Sequence, residues 1–473
     1  MSYVRYKKFG TREYAYKVTQ IKDESTGKFK QKQQYLGAVV DKEKRIFEKR
    51  NAVKRKYKKE LNEKLILDYG DTYLQNKIME QTNLLPILKD IFKDKTDTLL
   101  SMIFYRIQGG SAMKYTENWY EGNIAKVIYP LAKVTSQNIS EFLKYLSSES
   151  LQRKFFSKYI GAISGKKKGV IIDSTGLPNE IHFPLTDWGH HNGGIEKETR
   201  LILAVDKDTK LPLYFRYVAG NISDVSTLST TIEEIKKLGV TTNISIMDAG
   251  YCSENNITEL YNNEISFLTR MPSSRKIYKR LITDNVGKIE CTKNAVKYDE
   301  RGLFIKKEKI DLYGNVAYAY IVCDPERRGR EISKQINRLE GSEEIELENC
   351  GMMILISNLE LDTSEVIPMY YTRQMAEQLF GISKDDLSLL PVRVHTEDTF
   401  RGFIFLIFLS LIIYTKLREK LGKEVSVEQA ISTMRNLKCK IYSDDSIVVS
   451  EPTKQQKSIC EKCNIPVPKN SGI

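Results

Sequence analysis

Apolar and polar positions follow different rhythms along this chain, and each rhythm predicts a different element. Tyr14, Tyr16 and Val18 alternate with polar neighbours as one face of a strand, residues 24–27 (ESTG) offer a turn, and residues 29–36 return as a second strand. Residues 42–64 then read as a charged helical stretch. From 65 to 165 the spacing is mostly helical, at 84–91, 99–107 and 139–156, with a break at Gly109-Gly110. Short apolar runs at 169–173 (GVIID), 201–206 and 244–248 (ISIMD), with a strand at 211–220, read as a sheet, and helices are expected at 225–238 and 255–263. Residues 268–271 read as a further core strand, 277–321 as several short strands with turns at 299–302 and 313–315, 327–338 as a basic helix and 351–358 as a returning strand.

Within this pattern residues 370–384 (YYTRQMAEQLFGISK) place Tyr, Arg, Glu and Lys at Y-x2-R-x3-E-x6-K spacing. On a helix advancing about 100° per residue, Tyr370, Arg373, Glu377 and Lys384 fall within an arc of roughly 60°. Met375, Leu379 and Ile382 take the other side. A carboxylate flanked by two cations and a phenol suits a metal ion beside a phosphate backbone, although an ordinary solvated helix face carries similar residues. Two upstream carboxylates share one grammar: Asp173 ends a buried run ahead of Ser-Thr-Gly, and Asp248 ends another ahead of Ala-Gly-Tyr. A carboxylate on a buried strand costs free energy unless a cation compensates it. Asp187, Asp206 and Asp224 also sit at strand ends and are expected to serve turns or to support the site rather than ligate.

With these residues in place, the chain resembles the DDE transposases of bacterial insertion sequences, specifically the insertion-sequence-four-like branch with its Y-x2-R-x3-E-x6-K signature. Residues 211–224, with Pro212, Gly220, Asn221 and Asp224 at the family's spacing, and residues 390–402 (LPVRVHTEDTFRG) extend the resemblance. It implies an α/β fold: an RNase H-like catalytic core carrying an inserted β subdomain, preceded by a basic β-hairpin and helical DNA-binding region. The resemblance further implies that Asp173, Asp248 and Glu377 are catalytic and ligate two Mg²⁺, for which Mn²⁺ substitutes. Three hard oxygen donors are the ligand class that such ions favour. Tyr370, Arg373 and Lys384 are expected, by the same resemblance, to contact DNA near the cut. In some relatives a Trp of the insertion accepts a flipped base, whereas the two Trp of this chain are Trp119 and Trp188.

Charge adds a second DNA-facing region. The 473 residues carry a formal net charge of +13, and residues 1–60 alone hold 19 Lys and Arg against 7 Asp and Glu. The cluster Lys54, Arg55, Lys56, Lys58 and Lys59 is the densest part, and nucleic-acid phosphates are its natural partner. The expected divisions are a basic N-terminal region at 1–65, a helical domain at 66–165, core segments at 166–272 and 351–420, the insertion at 273–350 and a peripheral polar tail from 421.

The remaining chemistry is sparse. Seven widely spread Cys indicate a reducing cytoplasm, and nucleoid association would follow from DNA binding. Cys460-x2-Cys463 lacks a second pair and is weak evidence for zinc. His190-His191 falls in a Gly-rich stretch expected to be a flexible loop near DNA. The apolar run 402–414 has 13 residues where a membrane span needs about 20, so a buried helix is expected. The expected partners are double-stranded DNA, as terminal inverted repeats and target, and a second copy on DNA, with no membrane and no small-molecule cofactor. A nuclease without strand transfer would share the triad, and a retired DNA-binding derivative would not need it.

Overall fold

The computed structural model describes residues 2–22, 29–49, 62–110, 112–163, 167–191, 194–222, 224–337 and 347–469. The chain forms two compact units, residues 1–62 and 63–473. The first is an antiparallel sheet of β1 (Ser2–Phe9), β2 (Arg12–Lys22), β3 (Phe29–Asp41) and β4 (Ile46–Glu48), in that order. The hairpin expected from Tyr14 and Tyr16 is present as β2 and β3, with strands added on both sides. Ile46 and Phe47 pair as a strand within the stretch expected to be helical. The turn at 24–27 and the cluster Lys54, Arg55, Lys56, Lys58 and Lys59 lie outside the described residues.

The second unit opens with β5 (Glu63–Asp68) and a helical layer of α1 (Gly70–Glu80), α2 (Leu84–Phe92), α3 (Thr96–Ile107), α4 (Thr116–Glu121), α5 (Ala125–Ile128), α6 (Ser136–Leu146) and α7 (Glu149–Ile163). The sheet follows: β6 (Lys167–Pro178), β7 (Asp187–His191), β8 (Gly194–Asp206), β9 (Pro212–Ala219), α8 (Leu228–Lys237), β10 (Thr241–Met247), α9 (Glu254–Asn262) and β11 (Ser266–Arg270). β6, β8 and β9 form an antiparallel meander, and β10 then β11 add in parallel on the other side of β6. Counting these five strands from β6 and leaving aside β7, which pairs with the start of β8, the order across the sheet is three, two, one, four, five, the RNase H-like arrangement.

The described residues of 273–350 do not form a body of their own. α10 (Lys276–Asn285) replaces the first of the expected strands, because Tyr278, Leu281 and Ile282 bury one helical face. β12 (Ala295–Tyr298), β13 (Arg301–Leu312) and β14 (Asn315–Cys323) then continue the same sheet. After α11 (Pro325–Ile336), β15 (Met352–Ser357) joins them to it, pairing with β14 on one edge and β11 on the other. Every residue of β15 is buried, as a central strand covered on both faces requires.

The signature follows in α12 (Thr363–Tyr371) and α13 (Gln374–Gly381), and α14 (Glu397–Leu421) crosses the core. α14 is longer than its apolar run and long and apolar enough to cross a membrane, but its apolar positions are buried inside the protein. It joins the helical layer to the sheet: Phe405 packs edge-on to Phe155 of α7 at 5.3 Å, and Phe408 lies 5.2 Å from Phe215 of β9. Gly402 lies directly against the Leu143 carbonyl of α6, where no side chain fits. The regions expected as separate helical and catalytic domains therefore share one core.

The C-terminal stretch is not a peripheral tail. α15 (Val427–Arg435), β16 (Lys438–Tyr442), β17 (Ile447–Val449) and α16 (Lys454–Lys462) fold onto the helical layer, with β16 pairing to β5. Cys460 and Cys463 are buried, and burial pushes both thiols up to about 11, away from the thiolate that zinc requires.

Candidate active site

The expected helix across 370–384 is three segments. Thr372 and Arg373 donate their amides to Met369 and Tyr370, three residues back, which tightens the chain between α12 and α13. A π-helical turn, Ile382–Asp386, follows α13. Despite these breaks, the four signature side chains still meet the sheet or one another.

Asp173 lies inside β6, opposite Leu203 of β8, rather than at the strand end. Register brings Asp248 level with it: Ile246 pairs with Ile171, and Asp248 and Asp173 each lie two residues further on, Asp248 directly after the end of β10. The Tyr370 hydroxyl donates to Asp248 Oδ1 at 3.2 Å. Arg373 lies at the centre, with Nη1 3.2 Å from Asp173 Oδ2 and 4.0 Å from Asp248 Oδ2, and Nη2 2.7 Å from Glu377 Oε1. Alternation puts Thr175 on the same face of β6 as Asp173, and the Lys384 ammonium donates to its hydroxyl at 2.7 Å.

The electrostatics follow from burial. Asp173 is only 9 % exposed, and burial pushes its carboxyl up to about 7 against the opposing pull of Arg373 and the Ser174 amide. Burial works against the Arg373 charge, but Asp248, Tyr370, Asp173 and Glu377 outweigh it and hold the guanidinium protonated. Burial and then Asp248 raise the Tyr370 phenol, while burial lowers the Lys384 ammonium. Asp248 and Glu377 are the more open carboxylates.

Three carboxylates from three distant segments thus share one cation, and that cation is a side chain. Among the described residues no three acidic, His or Cys side chains stand close enough to hold one ion together. Arg373 lies between Asp173, Asp248 and Glu377. Their chemistry nevertheless fits a divalent ion: hard oxygen donors, one of them too buried to carry its charge without a nearby cation.

The other expectations divide. Asp206 accepts the amides of Asp208 and Thr209 and builds a turn. Asp187 accepts from the Trp188 amide and the Asn221 side chain. His190 and His191 belong to β7, not to a flexible loop, and their side chains, like that of Asp224, lie outside what is described. Arg270, at the end of β11, is a neighbour that sequence reasoning missed; its charge acts on Tyr370. Its only signal was a cation closing a core strand.

A mixed sheet of RNase H-like order, with acidic side chains converging beside its central strands, defines the class of this protein. The chain belongs to the family described as transposase DDE domain, which it matches over residues 164–413, and members of that family are enzymes acting on DNA. A comparison with curated proteins finds no match. Among solved structures the chain is similar to the piggyBac transposase synaptic complex with hairpin DNA, at 10% identity over 77% of this chain and 79% of that one, with a TM-score of 0.41. The Drosophila P element transposase strand transfer complex matches at 8% identity over 74% and 71%, with a TM-score of 0.21. The family assignment rests on the domain match alone.

Proposed function

We propose that this transposase belongs to the insertion-sequence-four-like branch, cuts DNA at the terminal inverted repeats of its own element and joins the freed 3′ ends to target DNA. The observation that carries the reading is the meeting of Asp173, Asp248 and Glu377 around Arg373, from segments up to two hundred residues apart.

In this reading the three carboxylates would hold Mg²⁺, or Mn²⁺ in its place. Such ions would supply activation of a water or 3′-hydroxyl and stabilisation of the leaving oxygen in an in-line displacement. The chain's own residues prepare the site. Tyr370 fixes one oxygen of Asp248, and the Ser174 amide fixes Oδ1 of Asp173 at 2.9 Å. Lys384 ties the end of the signature to β6 through Thr175.

Arg373 neutralises the carboxylates, and its planar fork would also suit a DNA phosphate beside them. Tyr370 is buried against Asp248 and acts by positioning it rather than by reaching DNA. The partners are double-stranded DNA and a second copy of the chain assembled on it, in the cytoplasm at the nucleoid.

Strand joining separates this reading from a nuclease. Wild-type protein given a labelled repeat end and a target plasmid should produce joined product in Mg²⁺. Cleavage without joining would contradict the proposal.

A further inference from the structure

The N-terminal sheet carries a feature that a merely basic region does not need. Alternation places Tyr3, Arg5, Lys7 and Phe9 on one side of β1. Register sets Lys7 opposite Tyr14 and Arg5 opposite Tyr16, and Tyr16 opposite Tyr35 of β3. The rings form a connected patch: Phe9 to Tyr14 is 6.0 Å, Tyr14 to Tyr35 is 6.2 Å and Tyr16 to Tyr35 is 5.4 Å between centroids. The patch nevertheless faces solvent, with Phe9 60%, Tyr3 43% and Tyr35 40% exposed.

Cations are interleaved with the rings. The Lys7 ammonium lies 5.1 Å from the Tyr16 centroid and the Arg5 guanidinium 5.8 Å from that of Tyr3. Alternation puts no acidic residue on this side of β1, β2 or β3, register brings only Glu48 of β4 to its far edge, and Glu13 projects from the opposite side, where Lys42 binds it at 2.9 Å. Exposed contiguous aromatics on a sheet mark a binding face. Cations alone would serve a duplex, whose bases are already stacked on one another. Flat rings between the cations serve bases that are not.

We infer that this face binds unpaired DNA, with bases stacking on Tyr3, Phe9 and Tyr35 and phosphates neutralised by Arg5 and Lys7. Tyr3 and Phe9, six residues apart on β1, stand about 20 Å apart, a span that an extended single strand of a few nucleotides can follow. The choice of DNA over RNA rests on the transposase reading. Cleavage and joining of DNA ends create unpaired segments that such a face would hold.

The test uses the full chain and fluorescence anisotropy with labelled oligothymidylate of about 20 nucleotides and a duplex of equal length. The triple variant Tyr3→Ala, Phe9→Ala, Tyr35→Ala should bind oligothymidylate at least about tenfold more weakly and the duplex within about twofold of wild type. The triple variant Tyr3→Phe, Phe9→Tyr, Tyr35→Phe should keep both affinities, and Phe9→Ala alone, at the most exposed ring, should give part of the loss. Equal loss on both probes, no loss at all, failure of wild type to bind oligothymidylate, or tighter binding of oligouridylate would overturn the inference. Metal-dependent cleavage that survives Glu377→Gln would instead overturn the transposase mechanism and leave the stacking result standing.

Discussion

At the scale of single residues, Arg373 is the side chain whose role the structure changes most. Its place in the signature suggested a DNA contact, yet its guanidinium bonds Asp173 and Glu377 and approaches Asp248. Three carboxylates converging on one cation would repel each other without it. Near a protein surface, unit charges 4 Å apart interact by roughly 4 kcal/mol. Replacing Arg373 by Ala should therefore tighten Mn²⁺ binding in the absence of DNA by about tenfold or more, read by electron paramagnetic resonance of free Mn²⁺. Cleavage by the same variant should fall, because the guanidinium is then missing from the DNA-bound site. Unchanged Mn²⁺ affinity would show that Arg373 does not compete with the ion. The two aspartates were legible because a carboxylate closing a buried apolar run is costly and therefore conspicuous, and Glu377 through the spacing of its helical signature. The inward turn of Arg373 was not, since helical spacing gives a face but not the partner opposite it.

At the scale of elements, α1 shows how a buried charge joins distant pieces. Asp71 is fully buried, accepts both a 3.0 Å and a 3.1 Å bond from Asn123 Nδ2 and the Thr72 amide at 2.8 Å, and has Arg435 of α15 at 3.6 Å. Burial raises its pKa despite these partners. A raised folded-state pKa favours the protonated form. Its contribution to stability is therefore complete below the ordinary carboxylate value of about 4 and is lost as pH rises through the folded value. The melting temperature of wild type minus that of Asp71→Asn should accordingly decline as pH is raised from about 4.5 to 8. A difference that grows with pH would contradict the assignment. Periodicity located α2, α3, α9 and the strands flanking the acids with only small shifts at their ends. It misread 42–49 and 276–285 because alternation and helical spacing are hard to separate over short, charged stretches.

At the scale of the whole molecule, the sequence pattern suggested more divisions than the fold contains. The strands of 295–323 continue the catalytic sheet, and residues 427–462 complete the helical layer. The Leu437 carbonyl accepts the amides of both Tyr69 and Gly70, and β16 is the partner of β5. The polarity of this C-terminal stretch hid its role, although Cys439 and Ile441 alternate inward as a strand should. Ending the chain after Leu421 should therefore abolish the single cooperative melt and expose 63–163 to limited proteolysis. A truncated protein that melts as wild type does would return this stretch to the status of a tail.

The central claim is that Asp173, Asp248 and Glu377 form one metal-dependent catalytic site. Its most direct test is cleavage of a duplex carrying the repeats that flank the coding region, in Mg²⁺, by wild type and by Asp173→Asn, Asp248→Asn and Glu377→Gln. Each variant should fold, bind the duplex and lose cleavage by a factor of about a thousand or more. Cleavage retained by any of the three would contradict the account.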